Sequence, residues 1–232
     1  MIASASAFAA DATKPHDHTG KLKPYPRPPP PLKLTDDEKK TLDAGKAVMR
    51  QSEGDAGGRG MAIFRVNASP DVVWATINDF ASYPKWIDEV KKCQTYKKDG
   101  GKIDVEFNLS SFPVNITYYI HHDYDMDNRW GTWTLDYKRN SDLDDSVGFW
   151  RVNTVEGNAN QSVVEYSVDI AIKGWVPGFV RTMLVDKGLK QATQWVKVQS
   201  EKKAAAVKAA APTTTAAPTT TVATTPTATP TP

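Results

Sequence analysis

Residues 102 to 124, KIDVEFNLSSFPVNITYYIHHDY, decide the fold. Ile103, Val105, Phe107 and Leu109 alternate with Asp104, Glu106 and Asn108, and further on Val114, Ile116, Tyr118, Ile120 and His122 share one parity. A period of two marks strands buried on one face, as in an antiparallel sheet. The same period holds from Val90 to Lys173 and predicts strands at 91–98, 102–109, 114–124, 129–137, 146–155 and 162–172. The polar, turn-rich runs DMDN, NSDLDD and EGNANQ separate the later ones.

Working outward, the apolar run Met61 to Asn67 predicts an opening strand, which brings the expected sheet to seven. Ser69-Pro70 then supplies an N-cap with proline at the first helical position, and Val73, Trp74, Ile77 and Phe80 follow at helical spacing. Tyr83-Pro84 breaks that helix, leaving room for a second short turn at Lys85 to Val90. After Trp175-Val176-Pro177-Gly178, the stripe Val180, Met183, Leu184, Gly188, Ala192, Trp195 and Val196 predicts one long amphipathic helix. The expected fold is α+β. A curved seven-stranded antiparallel sheet wraps on a long C-terminal helix, with two short helices after the first strand.

The flanks read differently. Thr35 to Met49 opens with a Thr cap and a Glu38 capping box and predicts a short helix ending near Gly45, and GDAGGRG at 54–60 reads as a flexible connector. Residues 21–34 carry six prolines, and from Ala204 onward the chain is almost wholly Ala, Thr, Pro and Val. The expected organisation is a signal-like remnant and Pro-rich disordered arm (1–34), a short helix and connector (35–59), one domain (60–203) and a disordered tail (204–232). Neither flank is expected to dock on the domain. MIASASAFAADAT resembles the end of a secretory signal with an Ala7-Phe8-Ala9 cleavage pattern, so a periplasmic or secreted product starting near Ala10 or Asp11 is expected, with a cytoplasmic location as the alternative.

Composition narrows the chemistry. Residues 35–203 hold 23 basic and 25 acidic side chains, so no electrostatic footprint for nucleic acid exists. Cys93 is the single cysteine, which excludes an intrachain disulfide and a thiolate cluster. No stretch reaches the roughly 18 to 20 apolar residues of a spanning helix, which leaves transient membrane contact open. No metal or cofactor is expected, and a monomer is expected.

The order of elements resembles the START-like (helix-grip, SRPBCC) superfamily, which includes coenzyme Q-binding START-like proteins, polyketide cyclases and dehydratases, and lipid-transfer domains. The residues that carry this are Val66-Asn67-Ala68-Ser69-Pro70-Asp71-Val72-Val73-Trp74, Asp79-Phe80 with Tyr83-Pro84-Lys85-Trp86, and Val176-Pro177-Gly178-Phe179. The resemblance implies a cavity between sheet and helix that takes a sterol, quinone, polyketide or fatty chain. It implies no shared reaction. A carrier or sensor is favoured over a cyclase/dehydratase-type enzyme using the same pocket, with an interaction module as a third reading.

On that frame the expected ligand-binding residues are Trp86, Phe107, Tyr118, His122, Tyr166, Phe179, Met183 and Leu184, with no catalytic set. Each also fits plain core. Trp74 reads as packing beneath the sheet, and Gly188 as either close helix–sheet approach or room for a ligand. His121 and His122 are adjacent on a strand and face opposite ways, so they cannot chelate one metal together. Arg151 is a headgroup anchor if Phe149 faces inward, and solvated if Trp150 and Val152 do.

Overall fold

The alternation over 102–124 is realised as two neighbouring antiparallel strands at the heart of one sheet. The structure, a computed structural model, describes residues 10–54, 57–111, 114–173 and 188–210. Its elements are α1 (Asp36–Asp43), β1 (Val48–Gly54), β2 (Gly57–Val66), α2 (Pro70–Ile77), a 3-10 turn at Phe80–Ser82 and α3 (Tyr83–Trp86). There follow β3 (Val90–Asp99), β4 (Lys102–Ser111), β5 (Val114–Asp125), β6 (Trp130–Leu135), β7 (Leu143–Val155), β8 (Asn158–Ile172) and α4 (Gly188–Ala210). The sheet is wholly antiparallel in the order β1-β2-β8-β7-β6-β5-β4-β3. With the C-terminal helix packed against it, this is the helix-grip fold.

The sheet has eight strands where seven were expected. Val48–Gly54, read as the end of a helix and the start of a connector, is an edge strand paired to β2 from Val48↔Ile63 to Gly54↔Gly57. Its sequence VMRQSEG is too polar to show a period; among its residues of described burial, Val48 alone is well buried. The glycines at 57–60 belong to β2, and Gly57 allows a close approach to β8. A Cβ on Gly57 would lie 1.8 Å from the Ile170 carbonyl oxygen.

The helices form for local reasons visible in the chain. Thr35 Oγ1 accepts from the Glu38 amide (3.3 Å) while Glu38 Oε2 accepts from the Thr35 amide (2.8 Å), closing the expected capping box of α1. Pro70 occupies the first turn of α2, although the Ser69 side chain makes no capping bond. Val73, Trp74 and Ile77 are buried against the sheet, with Trp74 beneath it at 5.1 Å from the Tyr124 ring. In α4, Leu189 faces Gly60 and Val168, Trp195 meets Tyr83, and Val196 is fully buried. This helix runs to Ala210, so the first seven residues assigned to the disordered tail continue it. Alanine is the strongest helix former, which makes Ala204, Ala205 and Ala206 a natural extension.

The largest departure from expectation is the Pro-rich arm, which lies along the outer face of the sheet. Proline-rich composition argued for disorder, but the arm docks through its own backbone donors onto outward carboxylates. The Lys21 and Leu22 amides bond Asp145 Oδ2 at 2.6 and 2.7 Å, and the Leu32 amide bonds Glu165 Oε2 at 2.8 Å. Tyr25 donates towards Asp169 and exchanges a 2.8 Å hydrogen bond with Ser167, its ring lying edge-on to Phe149 at 4.9 Å. His16 accepts from the Ser141 amide at Nδ1, so its Nε2–H donates to the Asp144 carbonyl at 2.8 Å. Leu32 and Leu34 complete a small apolar cluster with Leu42, Val48, Met61 and Ile63.

Trp150 and Val152 face the inner side, so Arg151 points outward, yet it is covered. It sits 3.7 Å from Glu165, both side chains nearly buried. Burial raises the Glu165 carboxyl above the usual range, partly opposed by the Leu32 amide and Arg151. Removing residues 1–34 would strip the arm's partners from Asp145, Glu165 and Asp169 and uncover Phe149. At about 1 to 3 kcal/mol for each buried group left short of a partner, a chain beginning at Thr35 is expected to melt at least about 6 °C below the full chain. Differential scanning calorimetry of the two chains checks this, and equal melting temperatures would show that the arm contributes nothing to stability.

Candidate functional site

Between the inner face of the sheet, residues 80–87 and α4 lies a cavity of about 200 Å³. On the sheet side, β4 supplies Phe107 and Leu109; β5 supplies Tyr118, Ile120, His122 and Tyr124. Trp133 comes from β6, Ser146 and Trp150 from β7, and Val168 and Ile170 from β8. Phe80, Tyr83, Ile87 and Trp195 close the helical side. Alternate residues of five consecutive strands converge here because each strand turns one parity inward.

The two faces of β8 reverse the usual order of burial. Outward Glu165, Ser167 and Asp169 are buried under the arm, whereas inward Tyr166, Val168 and Ile170 retain accessible surface. The inward side is the one left open.

Glycines shape the aromatic part of the wall. A Cβ on Gly131 would lie 1.9 Å from the Tyr124 ring, and one on Gly148 would lie 2.1 Å from the Trp133 ring. Each ring therefore lies flat over a neighbouring strand where any side chain would lift it. Tyr166 stacks behind this layer, 5.8 Å from Trp133 and 4.3 Å from Trp150. Phe107 and Tyr118 stack on each other at 5.2 Å and 8°.

The polar chemistry of the wall is sparse. His122 is 4 % exposed and ringed by Phe80, Phe107, Tyr124 and Trp133. Its Nδ1 lies 3.0 Å from the Ile103 carbonyl, which can only accept, so Nδ1 carries the proton and Nε2 a lone pair. Burial pulls its pKa down to about 3, with the Ile103 carbonyl opposing and His121 adding slightly. Burial also holds the Tyr118, Tyr124 and Tyr166 hydroxyls well above the usual range, so they stay protonated. Among the described residues, Glu89 is the one charged side chain on the wall.

Of the expected ligand residues, Phe107, Tyr118 and His122 border the cavity and Tyr166 lies directly behind its wall. Trp86 does not border it. It stacks on Trp195 at 5.7 Å, under Lys203 Nζ at 4.8 Å, beside a separate surface hollow with Gln194 and Val198. Phe179, Met183 and Leu184 lie outside the described residues. Trp133, Trp150 and Ser146 were missed, although Trp150 shares its parity with Val152 and the whole run 146–152 is apolar enough to signal burial. Cys93 is a buried strand residue whose thiol burial pushes far up. His121 turns outward to Asp104 at 2.5 Å, opposite to His122. His16, His18 and Asp144 also come together, but both nitrogens of His16 are engaged and Lys21 Nζ lies 2.9 Å from Asp144, which disfavours a cation.

Residues 66–196 match the family described as polyketide cyclase/dehydrase and lipid transport. The chain belongs to that family. Similar solved structures include the ZhuI aromatase/cyclase from Streptomyces sp. R1128, at 17% identity and a TM-score of 0.54, covering 67% of this chain and 96% of that one. A STAR-related lipid transfer protein from Xanthomonas axonopodis gives 15% identity and 0.52, covering 67% and 92%. TTHA0849 from Thermus thermophilus gives 14% and 0.52, covering 64% and 98%. No curated protein matches the chain in sequence. At these identities the likeness to the solved structures shows the fold alone.

His122 makes a pH-dependent contribution that can be read directly. Its folded pKa of about 3 lies below the ordinary 6.5, so below about pH 6.5 the unfolded chain takes up a proton that the folded chain refuses. Stability is thus full at neutral pH and declines as pH falls toward 3. Replacing His122 with Gln, which keeps a donor for Ile103, is expected to remove about 2 kcal/mol of the loss between pH 6.5 and pH 5. Urea melts of both proteins across that range check it, and parallel pH profiles would refute the burial of a neutral ring.

Proposed function

We propose that the protein is a carrier or sensor of a hydrophobic small molecule held in the sheet–helix cavity. The observation that carries this reading is the wall itself. Five strands turn aromatic and aliphatic side chains onto a space of about 200 Å³ that the described side chains do not fill. Membership of a family whose members typically bind hydrophobic ligands supports it, as does the likeness to a STAR-related lipid transfer protein. Among the described residues no helix is long and apolar enough to cross a membrane.

The cyclase-type alternative draws support from the ZhuI likeness and needs a group that moves protons. His122 is the basic side chain on the described wall, and a pKa near 3 makes it a poor general base at neutral pH. That favours binding over catalysis.

Ile170 faces the cavity from β8, and Trp at this position would occupy part of the space. In a filled core such overpacking costs about 1 to 3 kcal/mol. In a vacant pocket it displaces ligand instead. The neutral probe N-phenyl-1-naphthylamine is expected to bind the wild-type chain saturably, one per chain, and Ile170→Trp to weaken it at least about tenfold with little change in Tm. Fluorescence titration and calorimetry read the two quantities. Saturable uptake absent in the wild type would end the carrier reading for this ligand class, and a large Tm loss without loss of uptake would place the ligand elsewhere.

A further inference from the structure

We propose that the cavity selects an uncharged, ring-bearing hydrophobe through a hydroxyl group that donates a hydrogen bond to His122 Nε2; this rests on the carrier reading above. The orientation of the imidazole is what carries it. Backbone register places His122 directly opposite Ile103, whose carbonyl takes the Nδ1 proton at 3.0 Å. The ring therefore offers the cavity an acceptor and no donor. Nε2 makes no hydrogen bond among the described residues and is not one of their fully buried unpartnered atoms, so it is reached from the cavity that His122 lines. A ligand hydroxyl donating to it would gain about 0.5 to 1.5 kcal/mol, the net worth of an ordinary hydrogen bond.

The remaining wall agrees on charge. No Lys or Arg lines the cavity among the described residues, and Glu89 contributes an acidic side chain. A carboxylate ligand would give up its hydration and meet no cation among the described residues. Tyr118 and Tyr124 keep their protons and have no hydrogen-bond partner among the described residues, so they can serve a second oxygen on the ligand. The flat rings of Phe107, Tyr118, Trp133 and Trp150 favour a planar or fused-ring body.

The test uses the full chain and three matched probes: 2-naphthol, 2-methoxynaphthalene and 2-naphthoate. Binding is followed through the fluorescence of Trp133, Trp150 and Trp195, which border the site. In the wild type, 2-naphthol is expected to bind about five- to tenfold more tightly than the methyl ether, and 2-naphthoate more weakly than either. His122→Leu should erase the preference for the hydroxyl while leaving the ether within about twofold, and His122→Gln, which retains an acceptor, should keep part of it. The preference should persist from pH 8 to pH 5, because His122 titrates only near 3. Equal binding of naphthol and ether in the wild type, tighter binding of the naphthoate, or an undiminished preference in His122→Leu would overturn the proposal with the carrier reading intact. Binding of none of the three, and of no N-phenyl-1-naphthylamine, would overturn both. The wild-type comparison decides the matter even if a variant fails to fold.

Discussion

A sheet that keeps its concave side open must find its stability on the other side, and here the docking of the arm meets that constraint. A space of about 200 Å³ that the described side chains leave unfilled forgoes on the order of 5 kcal/mol. In compensation, the outer faces of β7 and β8 are sealed. Phe149 is fully buried under Tyr25, and Asp145, Glu165 and Asp169 take hydrogen bonds from the arm's amides and hydroxyl. Proline suits such a strap, because a chain already held extended loses little further entropy on docking. The amides between its prolines remain free to donate.

The inner wall is governed by a different economy of space. Flat aromatic rings can lie on a sheet only where the strand beneath carries no side chain, and Gly131 and Gly148 provide those places for Tyr124 and Trp133. The wall is thereby smooth, apolar and wide. Its polar atoms are held in one protonation state by the same lack of water: imidazole neutral, phenols protonated. On the proposed reading, such a surface would discriminate by shape and by hydrogen-bond polarity.

Much of this was legible in the chain, and the gaps have physical causes. Strands buried on one face announce themselves by parity, so the strands from 91 to 172 and the inward placement of Phe107, Tyr118 and His122 followed from alternation. Edge strand β1 did not, because its VMRQSEG run buries one residue well. The arm was misread because composition reports the apolar surface a segment can bury, whereas this segment docks mainly through backbone donors. The signal for it lay elsewhere, in Ser146–Val152, where Val147 and Phe149 are as apolar as their inward neighbours. A strand apolar on both parities needs a cover on both faces. Trp86 lies beside a separate hollow for another reason: proximity to a cavity in sequence says nothing of which way a short helix turns its rings.

What the solved structures share with this chain at 14 to 17% identity is a fold, and a fold does not choose a ligand. What the wall presents is set by register. Ile103 faces His122 across the β4–β5 ladder, and that pairing both supplies the carbonyl for Nδ1 and turns the ring inward. A slip of one residue would present His121 to the cavity and send His122 out to the side where Asp104 waits. It would also bring Asp123, Tyr119 and Thr117 inward in place of Tyr124, Ile120 and Tyr118. The neutral acceptor in the cavity is thus a consequence of strand pairing, and that pairing is enforced by every apolar residue on the same parity from Ile116 to Tyr124.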